Sequence, residues 1–199
     1  MILVETAAGP SKAALRAWVR ARRSERSSLD RERASTAIAR AAGTLLSPGA
    51  APCVAAHLAL PTEPPTEALI AALHDAGLRV LVPRVVGDAL EWVAWHPGVE
   101  LRRGRFGIAE PVGDADPRGL AGVAAILVPA LAVDRTGHRL GQGGGYYDRT
   151  LATVPAHAAG GPLRVAVVYD DEVLDEVPYE PHDITVDGVL TPSGLVRLG

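Results

Sequence analysis

Residues 53–82 read CVAAHLALPTEPPTEALIAALHDAGLRVLV, and their punctuation decides the fold. Residues 53–60 form an apolar run of strand length that stops at Pro61. Pro64, Pro65 and Thr66 then open a helix in which Leu69, Ile70 and Leu73 share one face, and Gly77 ends it. A second apolar run, residues 78–82, stops at Pro83. Strand, helix and strand in this order imply a right-handed crossover between parallel strands.

Working outward, residues 90–95 alternate as a short strand, and residues 124–128, 164–169 and 188–191 read as further strands. Residues 146–153 form a short helix, and residues 99–116 a polar surface excursion broken by Gly and Pro, with no function legible in residues 112–122. On the amino-terminal side, Leu15, Trp18 and Val19 recur at helical spacing between Lys12 and Arg23. A second helix of structural role starts near Ser28 or Asp30 and runs to about Leu46, where Ser47, Pro48 and Gly49 stop it. The expectation is one α/β domain over residues 1–199, three-layered α/β/α with a mostly parallel central sheet, in which residues 1–11 are a flexible or strand-like lead-in.

Composition narrows the classes of function. Twenty-three acidic residues against 20 basic ones give a net charge of −3, too balanced for a general nucleic-acid surface or an anionic membrane. Cys53 is the only cysteine, which excludes an intrachain disulfide, and its apolar setting predicts a buried thiol. The opening residues 1–4 are apolar but are followed by Glu5, unlike a signal peptide, and no segment is long enough to span a bilayer. A cytoplasmic monomer is expected. His57, His74, His96, His138 and His157 show no ligand spacing and receive no metal role, and Trp18, Trp92 and Trp95 read as core or groove-wall residues.

Of the 20 basic residues only Lys12 is a lysine, which codon bias or a need for a compact ammonium could explain. Lys12, Arg16, Arg20 and Arg23 follow the four-residue ridge of the first helix, a stripe that is commonly a solvated face. Several strands end in Pro or polar residues, at Pro61-Thr62-Glu63, Pro83-Arg84, Pro129 and Tyr169-Asp170-Asp171-Glu172. Open α/β sheets bind ligands outside the carboxyl ends of their strands, so these ends should converge on the site.

The most informative stretch is Arg139-Leu140-Gly141-Gln142-Gly143-Gly144-Gly145-Tyr146-Tyr147-Asp148, between a buried strand and a short helix. Glycines let backbone amides approach an anion with no Cβ in the way, and a helix start adds its positive end. Phosphate is the natural guest. The loop is not a Walker motif, lacking a following Lys-Ser or Lys-Thr, and Tyr146 stands where a dinucleotide fingerprint needs its third Gly. A plain flexible loop is the bland alternative.

With residues 126–134, ILVPALAVD, before it, this stretch resembles the signature of the 5-formyltetrahydrofolate cyclo-ligases. Four further segments match in order: Lys12-Ala13-Ala14-Leu15-Arg16, like the family's nucleotide contact; Glu63-Pro64-Pro65-Thr66, like its folate loop; Phe106-Gly107-Ile108-Ala109-Glu110-Pro111; and His182-Asp183 with Val186-Asp187. The resemblance implies that residues 139–147 wrap the phosphates of ATP, that Lys12 and Arg16 lie over them, and that Lys12, Arg16 and Arg139 serve catalysis. It implies Asp148 and Asp183 as ligands of Mg²⁺, Glu63 as the partner of pterin donors, and Tyr146 and Tyr147 as candidates to pack on folate or ATP. Each has an ordinary reading too: Glu63 an exposed loop carboxylate, Asp148 a helix-start carboxylate, Asp183 a turn residue, and both tyrosines core.

The implied reaction is ATP- and Mg²⁺-dependent closure of 5-formyltetrahydrofolate to 5,10-methenyltetrahydrofolate. Two residues depart from the family pattern: Gln142 stands where Arg is frequent, and Glu172 where Gln is. Other readings are an ATP-using enzyme acting on another formyl or carboxyl compound, an inactive nucleotide- or folate-binding module, and a structural domain that no ligand stabilises.

Overall fold

The computed structural model describes residues 10–45, 53–104 and 107–198. In chain order its elements are α1 (Lys12–Ser24), α2 (Ser28–Ala41), β1 (Cys53–Ala55), α3 (Glu67–Asp75), β2 (Arg79–Val86), β3 (Ala89–Trp95), β4 (Leu101–Arg103), β5 (Ala109–Pro111), β6 (Ala125–Pro129), β7 (Ala132–Asp134), β8 (Arg139–Leu140), α4 (Tyr146–Leu151), β9 (Leu163–Val167), β10 (Val173–Leu174), β11 (Gly188–Thr191) and β12 (Gly194–Arg197).

The main sheet runs β12-β11-β9-β6-β1-β2-β3. Neighbours from β11 to β2 pair in parallel, and the two edges pair antiparallel. The central strands bury both faces, which is why they read as unbroken apolar runs. Val54, Leu127 and Val165 pack on Ile38 of α2 and on Leu69, Ile70 and Leu73 of α3. Ala55, Ile126 and Ala166 point the other way, into a second core with Trp92 and with Leu151 of α4. Each fully buried Leu, Ile or Val contributes about 1.5–3 kcal/mol. A smaller sheet, β10-β7-β8, lies under α1, where Leu15 and Val19 pack on Leu131, Ala132 and Leu140.

The expected class holds, a mixed α/β domain with a mostly parallel sheet and flanking helices. From β1 the chain steps through α3 to β2 and out to β3, then returns to place β6 on the other side of β1 before moving out to β9 and β11. The order therefore reverses between β1 and β6, the point at which such sheets open a crevice at their carboxyl ends.

Several details differ from the sequence reading. The first strand ends at Ala55, and residues 56–60 leave the sheet toward that crevice. β2 continues through Pro83 to Val86, because β1 reaches only to Leu81 and the missing N–H breaks no ladder there. The polar excursion holds the hairpin β4–β5. Cys53 is half-buried rather than buried, with burial raising its thiol above the ordinary value. Trp18 is exposed beneath the Arg22 guanidinium, 5.1 Å away. Residues 1–9, the expected helix end at Leu46 with its stop at residues 47–49, and Phe106 lie outside the described residues.

Asp134, at the end of β7, organises the turn into β8. One carboxylate oxygen accepts from the Thr136 N–H at 2.9 Å, the Thr136 hydroxyl at 2.6 Å and the His138 N–H at 3.1 Å; the other accepts from the Val177 N–H at 3.0 Å. Burial acts to raise its pKa, but these donors prevail and hold it below the ordinary value of 3.8. A depressed folded-state pKa gives stability that is present above the unfolded value and lost as pH falls through the folded one. The stability gap between wild type and Asp134→Asn should therefore be full at neutral pH and should close below about pH 4 in urea unfolding followed against pH. A gap independent of pH would refute this.

Candidate active site

Helix α1 starts cleanly, with the Ser11 hydroxyl accepting the Ala14 N–H at 3.2 Å. Its apolar stripe faces the small sheet, so the basic ridge one turn round is carried over the glycine loop. There Arg16 Nε donates to the Gly141 carbonyl at 2.9 Å, and Arg20 Nη2 donates to Gln142 Oε1 at 2.9 Å. The stripe is a clamp, not a solvated face. Arg23 turns inward and is fully buried against Glu172, with bonds of 2.7 and 2.8 Å.

The loop itself is shaped for close approach. Gly143 and Gly145 take φ values of +104° and +68°, which L side chains rarely adopt, and Gly145 serves as the left-handed residue before α4. Among the described residues, none of the N–H groups of residues 141–145 finds a protein acceptor. α4 is only six residues long, so the free N–H groups here belong to the loop and not to a long helix with a dipole of its own.

The loop borders a cleft of about 480 Å³ at the carboxyl ends of β1 and β6, with Lys12, Arg16, Glu63, Arg139, Tyr146, Tyr147, Asp148 and Asp183 in its wall. Residues spread across the chain from 12 to 183 thus meet in one place. Glu63 is not an exposed loop carboxylate: it is 4% exposed, accepting from the Leu60 N–H at 2.9 Å and from Gln142 Nε2 at 3.1 Å. Gln142 therefore ties the glycine loop to Glu63 while holding Arg20.

Lys12 Nζ donates to Asp183 at 2.6 Å and to Glu180 at 2.8 Å. Burial acts against the ammonium, yet the two carboxylates outweigh it and hold the Lys12 pKa above its ordinary value. Asp183 is held below the ordinary carboxylate value although burial opposes this, because Lys12 and the Glu180 N–H bind it. Asp148 accepts from buried Arg139 at 2.8 Å and from the Ile184 N–H at 3.2 Å. Among the described residues, the side chains whose ligand atoms lie within 4.8 Å of one another are Glu180, His182 and Asp183, a group that does not include Asp148. Tyr147 belongs to the second core and also lines the cleft; its hydroxyl is buried and its pKa strongly raised, chiefly by that burial. The Tyr146 ring lies under the Arg149 guanidinium.

Among the anticipated strand ends, Glu63, Pro83, Arg84 and Pro129 reach the cleft. Residues 169–172 instead buttress it from behind: the Tyr169 hydroxyl donates to the Glu63 carbonyl at 3.2 Å, and Glu172 anchors Arg23. His57 and Glu180 also line the cleft and were not singled out by sequence reasoning. For His57 the one available signal was its place as a polar residue inside an otherwise apolar run.

A groove at a topological switch point, with orphan amides and cationic side chains on one wall and a buried carboxylate on another, defines a small-molecule enzyme of the open α/β class. Residues 8–192 match the sequence profile of the 5-formyltetrahydrofolate cyclo-ligase family. The 5-formyltetrahydrofolate cyclo-ligase of Mycolicibacterium smegmatis is 46% identical over 153 residues, covering 73% of this chain and 76% of its own. That of Escherichia coli K12 is 37% identical over 145 residues, 70% of this chain and 78% of its own. Among solved structures, the 5,10-methenyltetrahydrofolate synthetase of Aquifex aeolicus superposes with a TM-score of 0.80 at 30% identity, covering 94% of this chain and 92% of that one. The chain belongs to the 5-formyltetrahydrofolate cyclo-ligase family, and so to a family of ligases. Among the described residues no helix is long and apolar enough to cross a membrane.

Proposed function

We propose that the protein closes 5-formyltetrahydrofolate to 5,10-methenyltetrahydrofolate at the expense of ATP, acting as a monomer in the cytoplasm. The observation that carries this reading is the meeting of the orphan-amide loop, the basic ridge of α1 and the buried Glu63 in one cleft of about 480 Å³. In the reaction the formyl oxygen forms a bond to the γ-phosphorus of ATP as the bond to ADP breaks. The neighbouring folate nitrogen then attacks the formyl carbon, and phosphate leaves with that oxygen. No protein nucleophile is needed. The protein's part is to align two substrates and to stabilise charge on the transferring phosphoryl group.

Each residue group has a task in this scheme. The amides of residues 141–145, with Lys12, Arg16 and Arg139, cradle the phosphates. Glu63 accepts from donors on the pterin, and Tyr146 and Tyr147 wall the ring site. The carboxylates fit Mg²⁺: Asp148 and Asp183 both line the cleft and offer the hard oxygen donors it prefers, with Glu180 beside Asp183. Bound there, Mg²⁺ would neutralise charge on the phosphates. Because Lys12 and Arg139 are bonded to these same carboxylates, nucleotide entry requires both cations to exchange a carboxylate for phosphate.

The deciding experiment follows the near-ultraviolet absorbance of the methenyl product on mixing protein with 5-formyltetrahydrofolate, with ATP and Mg²⁺ each supplied or withheld. Absorbance should grow only when both are present. ATP binding without any absorbance change would move the assignment to another substrate or to an inactive binding module. Lys12→Ala should raise the KM for ATP about tenfold or more and that for folate far less, since a phosphate-contacting ammonium is lost. An unaltered ATP affinity would leave Lys12 a purely structural partner of Glu180 and Asp183.

A further inference from the structure

His57 stands just past the carboxyl end of β1, at the point where the strand order reverses, and lines the cleft. It is 3% exposed. Its Nδ1 lies 3.3 Å from the Leu127 carbonyl of the neighbouring β6. A carbonyl can only accept, so Nδ1 carries the proton, and in a neutral ring Nε2 is then a bare acceptor. Nε2 is buried and, among the described residues, has no hydrogen-bond partner. A buried acceptor without a donor is uncommon in a native structure and calls for a specific explanation.

Its surroundings do not supply one. Of the charged groups that face the ring, Glu63 and Glu67 are anionic, and Arg23 binds Glu172 through Nε and Nη2 and holds Nη1 4.0 Å from Glu63 Oε1. Burial keeps the imidazole neutral against the pull of Glu63. The Glu63 carboxylate is likewise an acceptor. This wall of the cleft therefore offers two acceptors, and the complementary ligand edge is one that presents adjacent N–H donors.

We propose that His57 Nε2 is a substrate contact that accepts a hydrogen bond from the amino-pyrimidinone edge of the folate ring and, with Glu63, makes the cleft selective for that edge. The inference rests on the folate reading above and deepens it. It places the amine-bearing ring toward β1 and β6, which leaves the opposite side of the bicycle, where the formyl group is carried, to face the glycine loop and its cations.

Two measurements test it. The first compares wild-type turnover of 5-formyltetrahydrofolate with that of the analogue lacking the 2-amino group; a loss of at least about tenfold in kcat/KM is expected, because the analogue leaves buried acceptors unpaired. The second repeats the comparison with His57→Phe, which keeps an aromatic ring and removes the Nε2 acceptor together with the Nδ1 donor to Leu127. The variant should remain folded under the assay conditions, bind ATP unchanged, show a KM for folate raised about tenfold, and lose much of the discrimination against the analogue. A wild type that uses both compounds equally well overturns the proposal, whether or not the variant folds. So does a folded His57→Phe with unchanged folate KM and unchanged discrimination, which makes His57 a packing residue. Absence of methenyl product from the wild type would sink the folate reading and this inference with it, whereas the other outcomes strike the inference alone.

Discussion

Replacing Asp148 by Asn should lower the rate of ring closure about 10²–10³-fold, the loss typical when one group stabilising transition-state charge is removed. Asn is the informative choice because its side-chain oxygen can still accept from the Ile184 N–H and from Arg139, the two bonds that Asp148 Oδ1 accepts. Only the charge is lost. Unfolding in urea should shift by less than about 1 kcal/mol, so that a fall in rate reports on chemistry. Alanine at the same position would be ambiguous, since it strips a partner from Arg139, a guanidinium only 4% exposed. Turnover at the wild-type rate in Asp148→Asn would take Asp148 out of the phosphate and metal site.

The second large effect concerns stability. Arg23→Ala should cost about 3–5 kcal/mol, the usual result of removing one partner from a buried ion pair. Arg23 is fully buried; it binds Glu172 at 2.7 and 2.8 Å and the Ala130 carbonyl at 2.7 Å. Glu172 is 3% exposed and would be left ionised with the Tyr169 N–H as its remaining donor. For a domain near this size the loss corresponds to a melting temperature lower by roughly 6–20 °C.

The same pair carries a pH signature. Burial raises the Glu172 pKa above its ordinary 4.5, against the opposing pull of Arg23. A raised folded-state value means that the proton-linked stability is present below the unfolded pKa and is lost as pH rises through the folded one. Without Arg23 that value rises further, so the gap between wild type and variant should narrow as pH falls from neutral through the variant's raised value. An Arg23→Ala protein as stable as wild type at neutral pH would mean that the pair contributes nothing beyond packing.

Legibility in the sequence followed how locally each feature is encoded. The β1-α3-β2 crossover was plain because two apolar runs flank a helix bracketed by Pro and Gly, each a short-range signal. The small sheet escaped notice: β8 and β10 are two residues each and β7 three, too short to show any period. β2 was cut short at Pro83, since the sequence does not reveal that the neighbouring strand ends before that residue. In the site, the glycine loop, Lys12, Arg16 and Glu63 were readable from motif and residue type. Their partners were not. Gln142 meets Glu63 across 79 residues and Lys12 meets Asp183 across 171, juxtapositions that only the tertiary fold creates. Glu172, flagged as a departure from its relatives, turned out to be the counter-ion of Arg23 rather than part of the cleft wall.

The chain has one lysine, and its amine lies within 2.8 Å of Glu180 in the wall of the ligand groove. Reagents that acylate amines therefore have a single side-chain address, and it lies in the wall of the cleft. Surface coupling through lysine would plug the groove, so a probe or solid support is better attached elsewhere. Conversely, the extent of covalent tagging at Lys12 becomes a direct gauge of occupancy, with ligands that draw on the ammonium shielding it and those that do not leaving it open.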